Sequence, residues 1–140
     1  MSNTRLTVVV RKDLQMPAGL LAAQVAHMAD AFTRKNVLDA FAEELANPRK
    51  AKKSIGKIFG CYDLEWMKEP YLSVLGVQCY EDLCDIYDHV KREKLPCHRW
   101  DDTIPSPTFE GKAIKAFVGL SIGPADFDAI KMVTNGLDLY

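Results

Sequence analysis

The chain has 140 residues, with 18 Lys plus Arg against 19 Asp plus Glu and a net charge of -1. That balance excludes a polybasic nucleic-acid binder of the histone kind and an acidic solvating tail. At 48% hydrophobic and 26% charged residues, with no apolar run near membrane-spanning length, the composition fits one cytoplasmic domain around one core. No charged-then-apolar signal pattern opens the chain, since Arg5 is followed only by Leu6 to Val10 before Arg11 and Lys12. Cys61, Cys79, Cys84 and Cys97 form no C-x-x-C pair and read as reduced thiols, mostly small core hydrophobes. Cys97-His98 with Asp101 falls short of the four well-spaced ligands of a structural zinc site, so neither a metal nor another cofactor is expected.

Leu6-Thr7-Val8-Val9-Val10 is a β-branched run closed by Arg11-Lys12-Asp13, and it reads as a strand buried on both faces. Pro17 suits a first helical turn, where its missing N–H costs nothing, and Leu21, Val25, Met28 and Phe32 then recur at i, i+4, i+7 and i+11. The spacing predicts a helix that fades near Asn36, then a second amphipathic segment over Val37 to Leu45 that Asn47-Pro48 closes. Arg49, Lys50, Lys52, Lys53 and Lys57 place five positive charges in nine residues, a surface connection with a short helical turn near Asp63 to Lys68. Tyr71 to Val77 predicts a second strand, and Glu81 to Lys94 a helix with Leu83, Ile86, Tyr87 and Val90 inward. Pro96 to Trp100 predicts a third strand, residues 101–112 a turn-rich loop, and Ala113 to Ile122 a fourth strand. Pro124 opens a last helix through about Thr134, which Gly136 ends. The order β-α-α-β-α-β-β-α, without repeats, implies a largely parallel sheet covered by helices on both faces.

In such a sheet ligands bind beyond the carboxyl ends of the strands. There Arg11, Lys12 and Asp13 meet the first helix, whose free N–H groups and positive dipole end favour an anion. A merely solvated connection carries the same charges. Leu20, Gln24, His27 and Ala31 form a second stripe beside the apolar one. A polar group next to a buried face needs a partner, so Gln24 and His27 either brace the fold or point into a cleft. Asp101, Asp102 and Thr103 follow the third strand. A carboxylate there can orient a histidine or polarise a water that a threonine hydroxyl holds, or the triplet can cap turn N–H groups before Pro105. No G-x-S-x-G elbow, P-loop or G-x-G-x-x-G is present, which argues against those three classes.

Val8 to Met16 contains V-V-R-x-D-L-x-M, from Val9 onward, and Gly19 to His27 runs G-L-L-A-A-Q-V-A-H. Trp66 with Glu69-Pro70 leads into the second strand, and Ser121 to Ala125 and Val133 to Leu139 read S-I-G-P-A and V-T-N-G-L-D-L. In this order the blocks resemble the type 2 (archaeal/eukaryotic-type) peptidyl-tRNA hydrolases. The resemblance implies one domain over 1–140 with an enlarged helical and basic insert at about 33–65. It implies a three-layer α/β/α sandwich around a four-stranded mixed, mostly parallel sheet, usually in a homodimer. It also implies hydrolysis of the ester between a peptide, or an N-blocked amino acid, and tRNA. That reaction needs an activated water, a stabilised oxyanion and positive groups near phosphates. His27, Asp101, Asp102 and Thr103 are the residues it points to for catalysis, and Arg11, Lys12, Asp13 and Gln24 for binding substrate.

Where that family carries Gly-Lys-Gly-Lys, this chain carries Pro17-Ala18-Gly19-Leu20, so it resembles a divergent member without either lysine. Against the family's D-A-G-R-T, Asp101 or Asp102 matches the aspartate, Thr103 or Thr108 the threonine, and the arginine is missing. Two alternatives stand beside hydrolysis of peptidyl-tRNA. One is a non-catalytic RNA- or protein-binding module on the same fold, docking through Arg49 to Lys57. The other is a hydrolase of another small acylated substrate.

Overall fold

Leu6, Val8, Val9 and Val10 are fully buried, which marks β1 (Thr4–Arg11) as the strand around which the layers assemble. The computed structural model of the chain describes residues 3–46 and 59–140. After β1 come α1 (Ala18–Ala46), α2 (Cys61–Lys68), β2 (Leu72–Val77), α3 (Tyr80–Arg92), β3 (Cys97–Pro105), β4 (Ala113–Asp126), α4 (Phe127–Thr134) and β5 (Asp138–Leu139). The strands form one sheet in the order β3-β4-β1-β2-β5. β1 and β2 run parallel, from Leu6 opposite Leu72 to Arg11 opposite Val77. The β1–β4, β2–β5 and β3–β4 pairs are antiparallel.

The α/β architecture with a mixed sheet is therefore as expected, with two details corrected. The sheet has five strands and not four, and one of its four pairings is parallel, so it is not mostly parallel. A short turn joins β3 to β4, a connection that only antiparallel neighbours can use. The fifth strand, two residues long, is too short to show alternation in sequence.

Strand alternation divides the buried side chains into two cores. Val8, Val10, Ile104 and Val118 pack with Met28 beneath α1. Val9, Leu120 and Ile122 pack on the other face with Leu83 and Val90 of α3 and Ile130 and Val133 of α4. A smaller cluster of Leu6, Phe32 and Phe59 seats α2. There Trp66 meets Phe32 edge-on at 5.6 Å and donates its indole N–H to the Tyr71 carbonyl at 2.8 Å.

α1 passes without a break through Asn36, where the sequence predicts fading. No Gly or Pro interrupts it after Gly19, and one Asn costs a helix less than about 1 kcal/mol. The Arg34–Asp30 pair at i, i+4 leads up to that turn and the Lys35–Asp39 pair spans it. β3 is longer than expected, because pairing with β4 continues to Pro105 opposite Ala113 and takes Asp101, Asp102 and Thr103 out of the loop. Pro124 does not open the last helix. β4 runs through it to Asp126 opposite Thr4, and the Asp126 carboxylate caps α4 by accepting the Asp128 N–H at 3.2 Å. The cysteines are all free; Cys84 and Cys97 pack at the border of the α3-side core, and Cys61 is exposed. Asn47-Pro48 and the basic run Arg49 to Lys57 lie outside the described residues. Among the described residues, no helix is long and apolar enough to cross a membrane.

At Gly119, β4 passes beneath Met28 of α1. A Cβ there would collide with the Val9 carbonyl oxygen and come within 2.8 Å of Met28 Sδ. Gly119→Ala is expected to lower the unfolding free energy by about 1–3 kcal/mol, read from the midpoint of urea denaturation; an unchanged midpoint contradicts this packing.

Candidate active site

α1 lies across β3, and polar side chains of both elements meet where they cross. Alternation along β3 turns Trp100, Asp102 and Ile104 toward α1, and Arg99, Asp101 and Thr103 away from it. Gln24, in the second turn of α1 and only 2% exposed, reaches this row. Its amide nitrogen donates to Asp102 Oδ2 at 2.9 Å, and its amide oxygen accepts the indole N–H of Trp100. Asp102 Oδ1 accepts the Thr103 backbone N–H at 2.8 Å. A buried amide is tolerated here because its donor and its acceptor are both used.

One turn further along α1, the exposed His27 stacks on Trp100 with ring centroids 4.9 Å and planes 19° apart. Arg34 Nη2 donates to the His27 carbonyl oxygen at 3.1 Å, and the guanidinium carbon lies 5.8 Å from the centre of the Trp100 ring. Among the described residues nothing hydrogen-bonds the His27 ring nitrogens, so the imidazole edge is open. The row therefore combines a carboxylate fixed by two N–H donors, which keeps lone pairs for a water, and an imidazole able to exchange a proton. No group of three or more His, Cys, Asp or Glu among the described residues is arranged to hold a metal ion.

The other residues singled out from the sequence lie elsewhere. Asp101 is held by Arg99 on the opposite face, at 2.7 and 2.8 Å, and that guanidinium pulls its carboxyl below the usual carboxylate range. Thr103 contributes to the row only its backbone N–H. Thr108 stands in the β3–β4 turn, where its N–H donates to Ser106 Oγ at 3.3 Å. Arg11 is gripped by Asp13 at 3.0 and 2.7 Å and donates to the Phe117 carbonyl at 3.3 Å, with the Tyr80 ring 5.6 Å away. Lys12 lies across Gly76 in a cavity of about 330 Å³ on the α3 side, lined also by Asp82 and Asp85. The structure thus brings Gln24, His27 and Asp102 together and sends Arg11, Lys12, Asp13, Asp101 and Thr103 away from them. The anion site expected at the end of β1 has its arginine already neutralised by Asp13.

Trp100 joins the helix and strand halves of the row, yet the sequence reading gives it no role beyond ending a strand. The period-two series Trp100, Asp102, Ile104 is the signal that finds it. His98 shares the same face one step earlier, and its Nδ1 is buried without a partner among the described residues.

The family described as Peptidyl-tRNA hydrolase PTH2 matches residues 4–140. The chain belongs to this family. A peptidyl-tRNA hydrolase of Methanocaldococcus jannaschii is 27% identical over 137 residues, covering 96% of this chain and 98% of its own length. A solved structure, a protein of unknown function from Agrobacterium tumefaciens strain C58, covers 100% of this chain and 99% of its own with a TM-score of 0.54. Its 12% identity makes that a likeness of fold alone. In this PTH2 chain Gln24 and His27 come from the A-A-Q-x-x-H helix, while Trp66 serves the packing of α2.

His98 supplies a pH test of the α1–β3 packing. Burial pushes its pKa below the ordinary 6.5, the positive charge of Lys35 adds to this, and Asp63 opposes it. A depressed folded value means that the stability involved is complete above the unfolded pKa and is lost as pH falls through the folded one. Wild type is expected to lose stability relative to His98→Gln between about pH 7 and about pH 5, measured by denaturation at each pH. A difference that stays constant across that range contradicts the buried environment.

Proposed function

We propose that the protein hydrolyses the ester joining a peptide, or an N-blocked amino acid, to tRNA. The observation that carries this reading is the Gln24–Asp102 hydrogen bond beside His27, in a chain of the PTH2 family. Ester hydrolysis needs a water held against the carbonyl carbon and a group that takes its proton. In this reading Asp102, fixed by the Gln24 amide and the Thr103 N–H, accepts a hydrogen bond from the water and aims its oxygen. His27 takes the proton as the carbon–oxygen bond forms, then gives it to the departing ribose oxygen. Stacking on Trp100 sets the plane in which the imidazole moves the proton.

Asp102 has this part and Asp101 does not, because only Asp102 faces α1. Arg34, beside the Trp100 ring, is paired with Asp30 at 3.2 Å, but that pair is exposed and a phosphate of the acceptor end can exchange into it. The homodimer, the cytoplasmic setting and the single domain with an insert at about 33–65 belong to the same proposal.

Purified protein is expected to release the acyl group from N-acetylaminoacyl-tRNA, with His27→Ala and Asp102→Ala each slower by about tenfold or more. Asp101→Ala is expected to stay within about twofold of wild type. The measurement is single-turnover release of labelled acid. Release no faster than in buffer, or a greater loss from Asp101→Ala than from Asp102→Ala, contradicts the reading.

A further inference from the structure

At the N-terminal end of α1, where the Gln24 row runs out toward the β3–β4 turn, the surface closes into a cavity of about 260 Å³. Leu14, Met16 and Leu20 form one wall, and Pro105 and Pro107 face them. Leu14 and Met16 are 3% and 8% exposed and belong to the core beneath α1, so the floor is fixed by the fold. The facing rim is fixed as well. Ser106 Oγ accepts the N–H groups of Thr108 and Phe109 at 3.3 and 3.1 Å, and the Ser106 N–H donates to the Lys112 carbonyl at 2.7 Å.

No charged residue lines the cavity; Gln15, Pro17 and Ser106 complete its lining. Its volume lies below the range of about 300–1,000 Å³ that holds a whole small ligand, so it suits one side chain of a larger molecule. Leu20 is one helical turn before Gln24, a rise of about 6 Å. Pro105 is three residues beyond Asp102 on β3, about 10 Å along the strand. The aminoacyl side chain sits on the α-carbon, and an ester held at Asp102 with that carbon turned along the helix face carries it toward Leu20 and Pro105.

We propose that this cavity is the subsite for an apolar side chain on the acyl group of the scissile ester, with Leu20 as a specificity-determining residue. The inference rests on the hydrolase reading above and adds a substrate class to it: esters whose aminoacyl residue is apolar. A charged side chain placed there loses its water and meets no opposite charge, only the neutral groups of Gln15 and Ser106. An apolar one gains by burial against Leu14, Met16 and Leu20.

The test compares N-acetyl-leucyl and N-acetyl-aspartyl esters carried on the same tRNA, together with the matching non-hydrolysable 3′-amides of 3′-amino-3′-deoxyadenosine. The leucyl ester is expected to exceed the aspartyl ester in kcat/KM by about tenfold or more, chiefly through KM, and the leucyl amide to bind tighter by a similar factor. Leu20→Trp, which fills the cavity, is expected to erase the preference; if that variant does not fold, the wild-type ratios decide alone. Equal kcat/KM for both esters, or equal binding of both amides, overturns the subsite. Tighter binding of the leucyl amide with no hydrolysis of either ester supports the subsite and overturns the hydrolase reading instead.

Discussion

One side-chain amide with a partner at each end sets the relation between α1 and the sheet. Gln24 bonds Asp102 with its nitrogen and Trp100 with its oxygen, and both partners come from β3. Removing either partner from so buried a group costs about 1–3 kcal/mol. Apolar packing alone tolerates small rotations of a helix about its axis; two directional bonds from one residue do not. Successive residues of a helix are about 100° apart, so a shift of one position would withdraw Gln24 from β3 and carry His27 off the Trp100 ring. The polar row exists because the amide holds that rotation while Met28 and Phe32 bury the neighbouring stripe.

The two faces of the sheet treat charge differently. On the α3 side, Arg11 is matched by Asp13 and Arg99 by Asp101, and both guanidiniums lie near aromatic rings, Tyr80 and Phe117. These pairs answer their own charge and leave little for a ligand. On the α1 side Asp102 is held by an amide and a backbone N–H, with no cation hydrogen-bonded to it among the described residues. A carboxylate positioned by neutral donors, on the same face as an open imidazole, is what the proposed hydrolysis draws on to hold water against an ester. The uncharged cavity at the head of the same helix face lies on the side proposed to take the acyl group of such a substrate.

Much of this was legible in the residues. The Leu21, Val25, Met28, Phe32 spacing identifies the buried side of α1, and Gln24 and His27 stand out because they interrupt the adjacent stripe. The run from Leu6 to Val10 reads as a central strand because no position in it is polar enough to face water except Thr7. Other features depend on partners that the sequence does not name. Asp101 and Asp102 are chemically alike and adjacent, so only pairing with β4 decides which one faces α1. The same pairing turns Asp-Asp-Thr, good turn chemistry by composition, into the middle of a strand. Pro124 has the signature of a helix start, but the pairing of Thr4 and Arg5 with the end of β4 holds it in the sheet. Continuity of α1 past Asn36 was hidden for a simpler reason: a change in the apolar stripe looks like an ending when no breaker is there to confirm one.

The coupling of Gln24 to Asp102 in catalysis tests the account most directly. Single-turnover release from N-acetylaminoacyl-tRNA would be measured for wild type, Gln24→Leu, Asp102→Ala and the double variant. If the amide acts by holding the carboxylate, the double variant is no slower than the slower single one, as happens for residues that work as a unit. If the two losses multiply, Gln24 and Asp102 act separately and the row is not the device described.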